Sequence, residues 1–218
     1  MLRDHLLDAL AVLLPVDCPA CGLPAVQVPC PGCASALAAE ARPALRRVGP
    51  ADDPLEVLVG AEYSGTVRRL VLALKAEGRV AAARPLGALL RPVLLQALAG
   101  EPAALVGPPR SRVRHLRRGF DPVDLLVRAA GGRPSRPITR TRLSRDQVGL
   151  ARAERRSNLD HAFRARRPLA GTRILLVDDV VTSGATLLEL RRAVRAGGGE
   201  VAGAVALAGT PRRGNATS

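Results

Sequence analysis

The most constraining feature of this chain is a strand, a short hydroxyl-rich loop, a helix and a second strand in immediate succession near its end. Residues 173–178 read RILLVD, an apolar run closed by a carboxylate. Such a run fits a strand covered on both faces rather than one. Asp179 and Val180 lead into Thr182, Ser183, Gly184, Ala185 and Thr186, and a helix is expected from about Thr186 to Ala196, stopped by Gly197-Gly198-Gly199. Val201–Leu207 is the next apolar run. Strand, helix and strand in this order make a βαβ unit, which requires a parallel sheet, so the expected fold class is α/β.

The residues before it fit the same class. Val57–Ala61 reads as a strand, and Val67, Leu70, Val71 and Leu74 share one face of a helix from Thr66 to Lys75, with Gly78 as its stop. A longer helix is expected over about 85–99, with Pro92 inside it, and a short strand over Ala104–Gly107 ends at Pro108-Pro109. Asp121-Pro122 is an N-cap and first-turn pair for another helix. The opening residues to Pro15 space their leucines helically, with Asp4 and Asp8 arguing against a secretory leader. No run reaches the eighteen apolar residues of a membrane span, and a cytoplasmic chain is expected. The expected division is a helix and cysteine knuckle over 1–39, a Pro- and Arg-rich linker over 40–54, a main domain over 55–208 and a tail over 209–218.

All four cysteines fall within sixteen residues, as Cys18-x2-Cys21-x8-Cys30-x2-Cys33. Each CPxC step turns tightly enough to aim two thiolates at one point. Two such steps supply the four sulfurs of a tetrahedral structural Zn²⁺ site. Two disulfides or an iron–sulfur site are the alternatives, and disulfides suit an exported chain. Four thiolates would close the metal's shell, making it structural rather than catalytic.

The charge is concentrated in one stretch. Of 33 basic residues, 32 are arginine and only Lys75 is lysine; with 19 acids the net charge is +14. Residues 110–173 alone hold 18 arginines against five acids, a net of +13. Such a block attracts polyanions. Readers of single-stranded nucleic acid usually add aromatic stacking, for which the block has only Phe120 and Phe163. Base stacking is therefore poorly supported, and phosphates, nucleic acid or an acidic membrane face are the polyanions the charge could meet. Lys75 is read more readily as chance retention than as a position that needs a compact ammonium, so its role stays open, and neither His115 nor His161 is assigned acid–base duty.

The chemistry is expected in the loop after the RILLVD run. Asp178 and Asp179 stand at the carboxyl end of a buried strand, where open α/β sheets bind ligands. The loop that follows enters a helix N-terminus, whose free N–H groups and positive end suit a phosphate. Gly184 lets the backbone approach closely, and Thr182, Ser183 and Thr186 add hydroxyl donors. Carboxylates beside a phosphate site suit sugar hydroxyls, and the combination describes a ribose 5-phosphate. A P-loop would need Gly-Lys-Ser/Thr, and a dinucleotide fingerprint would need G-x-G-x-x-G; the segment has neither.

ILLVDDVVTSGATL closely resembles the signature of type I phosphoribosyltransferases. Together with the two CxxC pairs, YSGTVRRLVLALKAEGR, VGPPRSRVRHLRRGF, SRDQVGLARAERRSN and HAF in this order, it is similar to the ComF family, the competence-protein-F-like phosphoribosyltransferase homologues. Asp121 departs from the asparagine more usual after the RGF step. The resemblance implies a type I phosphoribosyltransferase-like parallel sheet flanked by helices, with a small N-terminal zinc knuckle. It implies 5-phosphoribosyl 1-diphosphate (PRPP) as ligand, bound with Mg²⁺, transfer of its phosphoribosyl group to an acceptor, and a link with natural competence and DNA uptake. Residue by residue, Asp178 and Asp179 would hold the ribose hydroxyls, and the loop from Val180 through Thr182, Ser183, Gly184, Ala185 and Thr186 the 5-phosphate. Pro109, Arg110, Ser111 and Arg112, with Arg117 and Arg118, would face the pyrophosphate. Gln147, Arg155 and Asn158 would lie on a mobile loop over the site. The alternative is a non-catalytic module that senses PRPP or contacts single-stranded DNA or a competence partner.

Overall fold

Apolar runs punctuated by glycine and proline become alternating strands and helices in the computed structural model of the chain. The structure describes residues 16–109, 119–141 and 161–211, and the helix expected before Pro15 lies outside them. In chain order the elements are β1 (Val16–Asp17), β2 (Pro24–Ala25), α1 (Pro31–Glu40), β3 (Ala41–Val48), β4 (Leu55–Glu62), α2 (Gly65–Ala76), α3 (Ala83–Ala97) and β5 (Ala104–Val106). There follow α4 (Pro122–Ala129), β6 (Pro134–Ser135), β7 (Ile138–Arg140), β8 (Phe163–Ala165), β9 (Arg173–Val181), α5 (Ala185–Ala196) and β10 (Glu200–Gly209).

Six strands form one sheet in the order β3-β4-β10-β9-β5-β6. Every neighbouring pair is parallel except β3 with β4. The apolar run of β9 is continuous because both faces are covered. Ile174 and Leu176 belong to one core with Leu187, Leu190 and Val194 of α5. Leu175 and Val177 belong to the other, with Leu70 and Leu74 of α2, Leu86 and Leu90 of α3, and Leu126 of α4. Each such side chain contributes about 1.5–3 kcal/mol by leaving water. Helix α4 starts as its sequence requires: Asp121 accepts hydrogen bonds from Val123 N and Asp124 N, with Pro122 in the first turn.

The crossovers from two adjacent strands run in opposite directions. From β9 the chain crosses through α5 to β10 on one side, whereas from β5 it crosses through α4 to β6 on the other. The strand order thus reverses between β9 and β5, as at the ligand-binding switch point of open α/β sheets. Strand β5 also stops at Val106, opposite Leu176. The last residues of β9, including both aspartates, thus extend past it.

Residues 41–48 correct the linker expected over 40–54. They form the antiparallel edge strand β3, with Leu45 opposite Leu58 and Val48 opposite Leu55. An edge strand has one neighbour and little to bury, so its sequence (ARPALRRV) needs no strict apolar alternation. Its arginines and Pro43, which suggested a linker, are residues that guard a sheet edge against pairing with other chains. The final strand of the βαβ unit also runs longer than its apolar core, to Gly209.

Candidate functional site

Two constellations of chemically capable residues emerge, joined by one helix. The first is the cysteine cluster. The turn between β1 and β2 is closed by Cys18 N donating to Leu23 O and Gly22 N to Cys18 O, both at 2.8 Å, with Gly22 at φ +76°. Cys30 caps α1, and Cys33 lies in its first turn. All four sulfurs lie within 4.8 Å of one another, and Cys21 Sγ is 3.7 Å from Cys30 Sγ. A tetrahedron with bonds of about 2.3 Å has edges of about 3.8 Å, so four thiolates here could hold a metal ion. All four are free thiols, so the disulfide alternative does not describe this structure. Burial, reinforced by the other sulfurs, pushes the Cys33 thiol up to about 12. Ionising all four together calls for a cation among them.

Helix α2 is tied to this knuckle at both ends. The Glu40 carboxylate, at the end of α1, accepts hydrogen bonds from Thr66 N and Val67 N, both at 2.9 Å. Burial opposes its ionisation, but the two N–H donors hold the carboxyl below its ordinary range. Beyond the other end of α2, Arg79 donates to the Asp17 carbonyl.

The second constellation lies where β9 meets α5. Asp178 and Asp179 are the sixth and seventh residues of β9, each only 9% exposed. Asp178 Oδ1 accepts Asp179 N at 2.9 Å, and Asp179 Oδ1 accepts Val180 N at 2.7 Å. Each carboxyl thus commits one oxygen to the backbone N–H of the next residue, and the two carboxyls interact with each other. Burial, then the neighbouring Asp179 charge, pushes the Asp178 carboxyl up to about 8; its bond from Asp179 N and the charge of Lys75 act against this.

The loop beside the pair is shaped by Gly184. It caps α5 at φ +77°, and a Cβ there would lie 2.5 Å from Val48 Cβ. Only glycine fits both conditions without strain. Ser183 Oγ accepts a long 3.4 Å bond from Ala185 N. The other N–H groups of the first turn have no partner within the helix, as at any helix start. Thr182 and Ser183 are exposed, and Ala185 and Thr186 are half-buried. The structure thus brings together every loop residue the sequence singled out.

Of the pyrophosphate-facing candidates, Pro109 is half-buried, with its carbonyl accepting a 3.4 Å bond from Arg140 Nε. Arg110, Ser111, Arg112, Arg117 and Arg118 lie outside the described residues, as do His115, Gln147, Arg155 and Asn158. The last three fall between β7 and β8, an antiparallel pair anchored on α5 through Glu189, which accepts Phe163 N at 2.9 Å. His161 is exposed and its carbonyl accepts Thr141 Oγ1. Phe163 is buried in the core beneath Arg140, so it offers no face for base stacking, and Phe120 packs half-buried against the other core.

The structure gives Lys75, whose role the sequence leaves open, a specific partner. Its Nζ lies 2.6 Å from Asp179 Oδ1, across 104 residues of sequence. Nothing local in the sequence announced this; its being the single lysine among arginines was the signal.

Comparison with known proteins yields a matching family model and curated relatives. The phosphoribosyl transferase domain family model matches residues 93–217. The DNA utilization protein YhgH of Escherichia coli O157:H7 is 34% identical over 184 residues, which cover 79% of this chain and 75% of that protein. Competence protein F of Haemophilus influenzae is 32% identical over 102 residues, covering 43% of this chain and 44% of that one. Among solved structures, orotate phosphoribosyltransferase of Mycobacterium tuberculosis, in complex with inorganic phosphate, covers 81% of this chain and 75% of its own. It is 19% identical with a TM-score of 0.35, a likeness too loose to bear on the site.

Proposed function

Because the chain belongs to the ComF family of proteins with a phosphoribosyl transferase domain, we propose that it binds PRPP with Mg²⁺ at the end of β9. The observation that carries this reading is the buried carboxyl pair Asp178 and Asp179 at the end of β9, directly before the 182–186 loop. Two carboxyls in succession suit the 2- and 3-hydroxyls of a ribose. The loop takes the 5-phosphate through the first-turn N–H groups of α5 and the hydroxyls of Thr182, Ser183 and Thr186. Mg²⁺ bound with the ligand neutralises pyrophosphate charge. In transfer, the bond from C1 to pyrophosphate breaks as a bond from C1 to the acceptor forms, and pyrophosphate leaves with the bonding pair. The arginines after Pro109 stabilise the charge growing on that leaving group. In the cysteine knuckle the metal is zinc, and its role is structural.

Calorimetric titration with PRPP and Mg²⁺ tests the reading. Binding is expected in the natural protein and is lost when Asp178→Asn and Asp179→Asn are combined. Absence of binding in the natural protein would reject it. Release of pyrophosphate with a panel of bases or amines separates transfer from binding alone.

A second reading, a module that contacts single-stranded DNA or a competence partner, is favoured by the net +13 over 110–173. Burial of Phe163 limits stacking, so such contact would be to phosphates. Binding of a single-stranded oligonucleotide that survives the double aspartate substitution and weakens steeply with salt supports this reading. Salt-insensitive binding counts against it.

A further inference from the structure

We propose that Lys75 is a positioning residue of the phosphoribosyl site: it fixes Asp179 and gives the carboxylate pair a built-in positive charge, so a polyanionic ribosyl phosphate needs less divalent cation to bind. The inference rests on the PRPP reading above and assigns a role to a residue outside the 178–186 segment.

The geometry is specific. The Lys75 ammonium sits 2.6 Å from Asp179 Oδ1, the same oxygen that accepts Val180 N. The side chains are only 30% and 12% exposed, respectively, so water screens the pair less than it would on an open surface. A carboxylate held from two directions keeps one orientation. Two bare carboxylates would repel the phosphates of PRPP, and a fixed ammonium beside them offsets part of that repulsion.

The carrier is equally fixed. Lys75 occupies the last turn of α2, where a cation is favoured by the helix dipole. The opposite end of α2 is held by the Glu40 carboxylate, and the turn beyond Lys75 by Arg79 on the Asp17 carbonyl. The knuckle therefore braces the helix that delivers the ammonium. The residue type fits as well. Arginine fills the other 32 basic positions, yet here the chain has the compact, single-point cation rather than the wide planar fork.

The test measures PRPP affinity as a function of Mg²⁺ concentration for the natural protein, Lys75→Met and Lys75→Gln, with thermal unfolding to confirm that each is folded. Methionine keeps the apolar stem, whereas glutamine also keeps a donor for Asp179 but no charge. Both variants are expected to bind about tenfold more weakly at low Mg²⁺, with the deficit shrinking as Mg²⁺ rises. Lys75→Arg restores the charge but not the compact single-point cation, and is expected to recover only part of the shift in Mg²⁺ midpoint. An unchanged Mg²⁺ midpoint in a folded, PRPP-binding variant would overturn the role of Lys75 while leaving the PRPP reading intact. So would a deficit that stays constant at all Mg²⁺ concentrations, since that is the mark of lost packing alone. No PRPP binding by the natural protein at any Mg²⁺ concentration would remove both.

Discussion

The cysteine knuckle and the carboxylate end of the sheet both gather ligating atoms, but they leave them in opposite states. In the knuckle, four sulfurs converge within 4.8 Å and account for a whole tetrahedral shell. At the end of β9, each aspartate commits one oxygen to the backbone N–H of the next residue, and the pair falls short of a closed shell. A closed donor set supports a structure, whereas an open one awaits a ligand. The two are joined by α2, which takes a carboxylate from the knuckle at one end and delivers an ammonium to the aspartates at the other.

The largest expected effect breaks the closed site. Cys30→Ser should abolish stoichiometric zinc, read by elemental analysis. It should also remove much of the metal-binding free energy, on the order of 10 kcal/mol, that holds the knuckle together. Full zinc occupancy in that variant would show that the four sulfurs do not act as one shell.

Next comes the loop of the open site. Gly184→Val must adopt a left-handed φ and meets Val48, so a loss of about 2–4 kcal/mol is expected in denaturant unfolding. Phosphate binding should go with it.

A further effect separates Asp178 from ordinary surface acids. The Asp178 carboxyl sits at about 8 in the folded chain against an ordinary 3.8. The folded state therefore keeps a proton that the unfolded chain gives up above pH 4. Its stabilising contribution is full below pH 4 and is lost as pH rises toward 8. Asp178→Asn should flatten that slope and raise stability at pH 8. An unchanged pH profile of Tm would contradict the burial of an uncompensated carboxylate.

Smallest is the joint between the two regions. Glu40→Gln weakens the cap on α2 and should cost about 1 kcal/mol at pH 7. In the natural protein that contribution disappears as pH falls through the lowered Glu40 value. A pH-independent difference between the two proteins would show that the carboxylate charge plays no part in the cap.

The sequence made the open site legible because its parts are local. The apolar run, the aspartates, the glycine cap and the helix lie within 24 consecutive residues, 173–196, and each constrains its neighbour. The cysteine spacing was legible for the same reason. Strand β3 was not, since an exposed edge carries arginine and proline without apolar alternation. Lys75 was not, since its partner is 104 residues away and no periodicity links the two. The knuckle's hold on α2 through Glu40 was equally hidden: a glutamate ending one helix gives no sign that it caps another 26 residues on.

In the proposed function, Asp178 and Asp179 receive a vicinal diol while the 182–186 loop receives a phosphate. The most direct measurement is a calorimetric comparison of ribose 5-phosphate with 2-deoxyribose 5-phosphate. A preference for the ribose compound of about tenfold or more is predicted, because the deoxy compound leaves one buried carboxylate oxygen unpaired. Equal affinity for the two would contradict it.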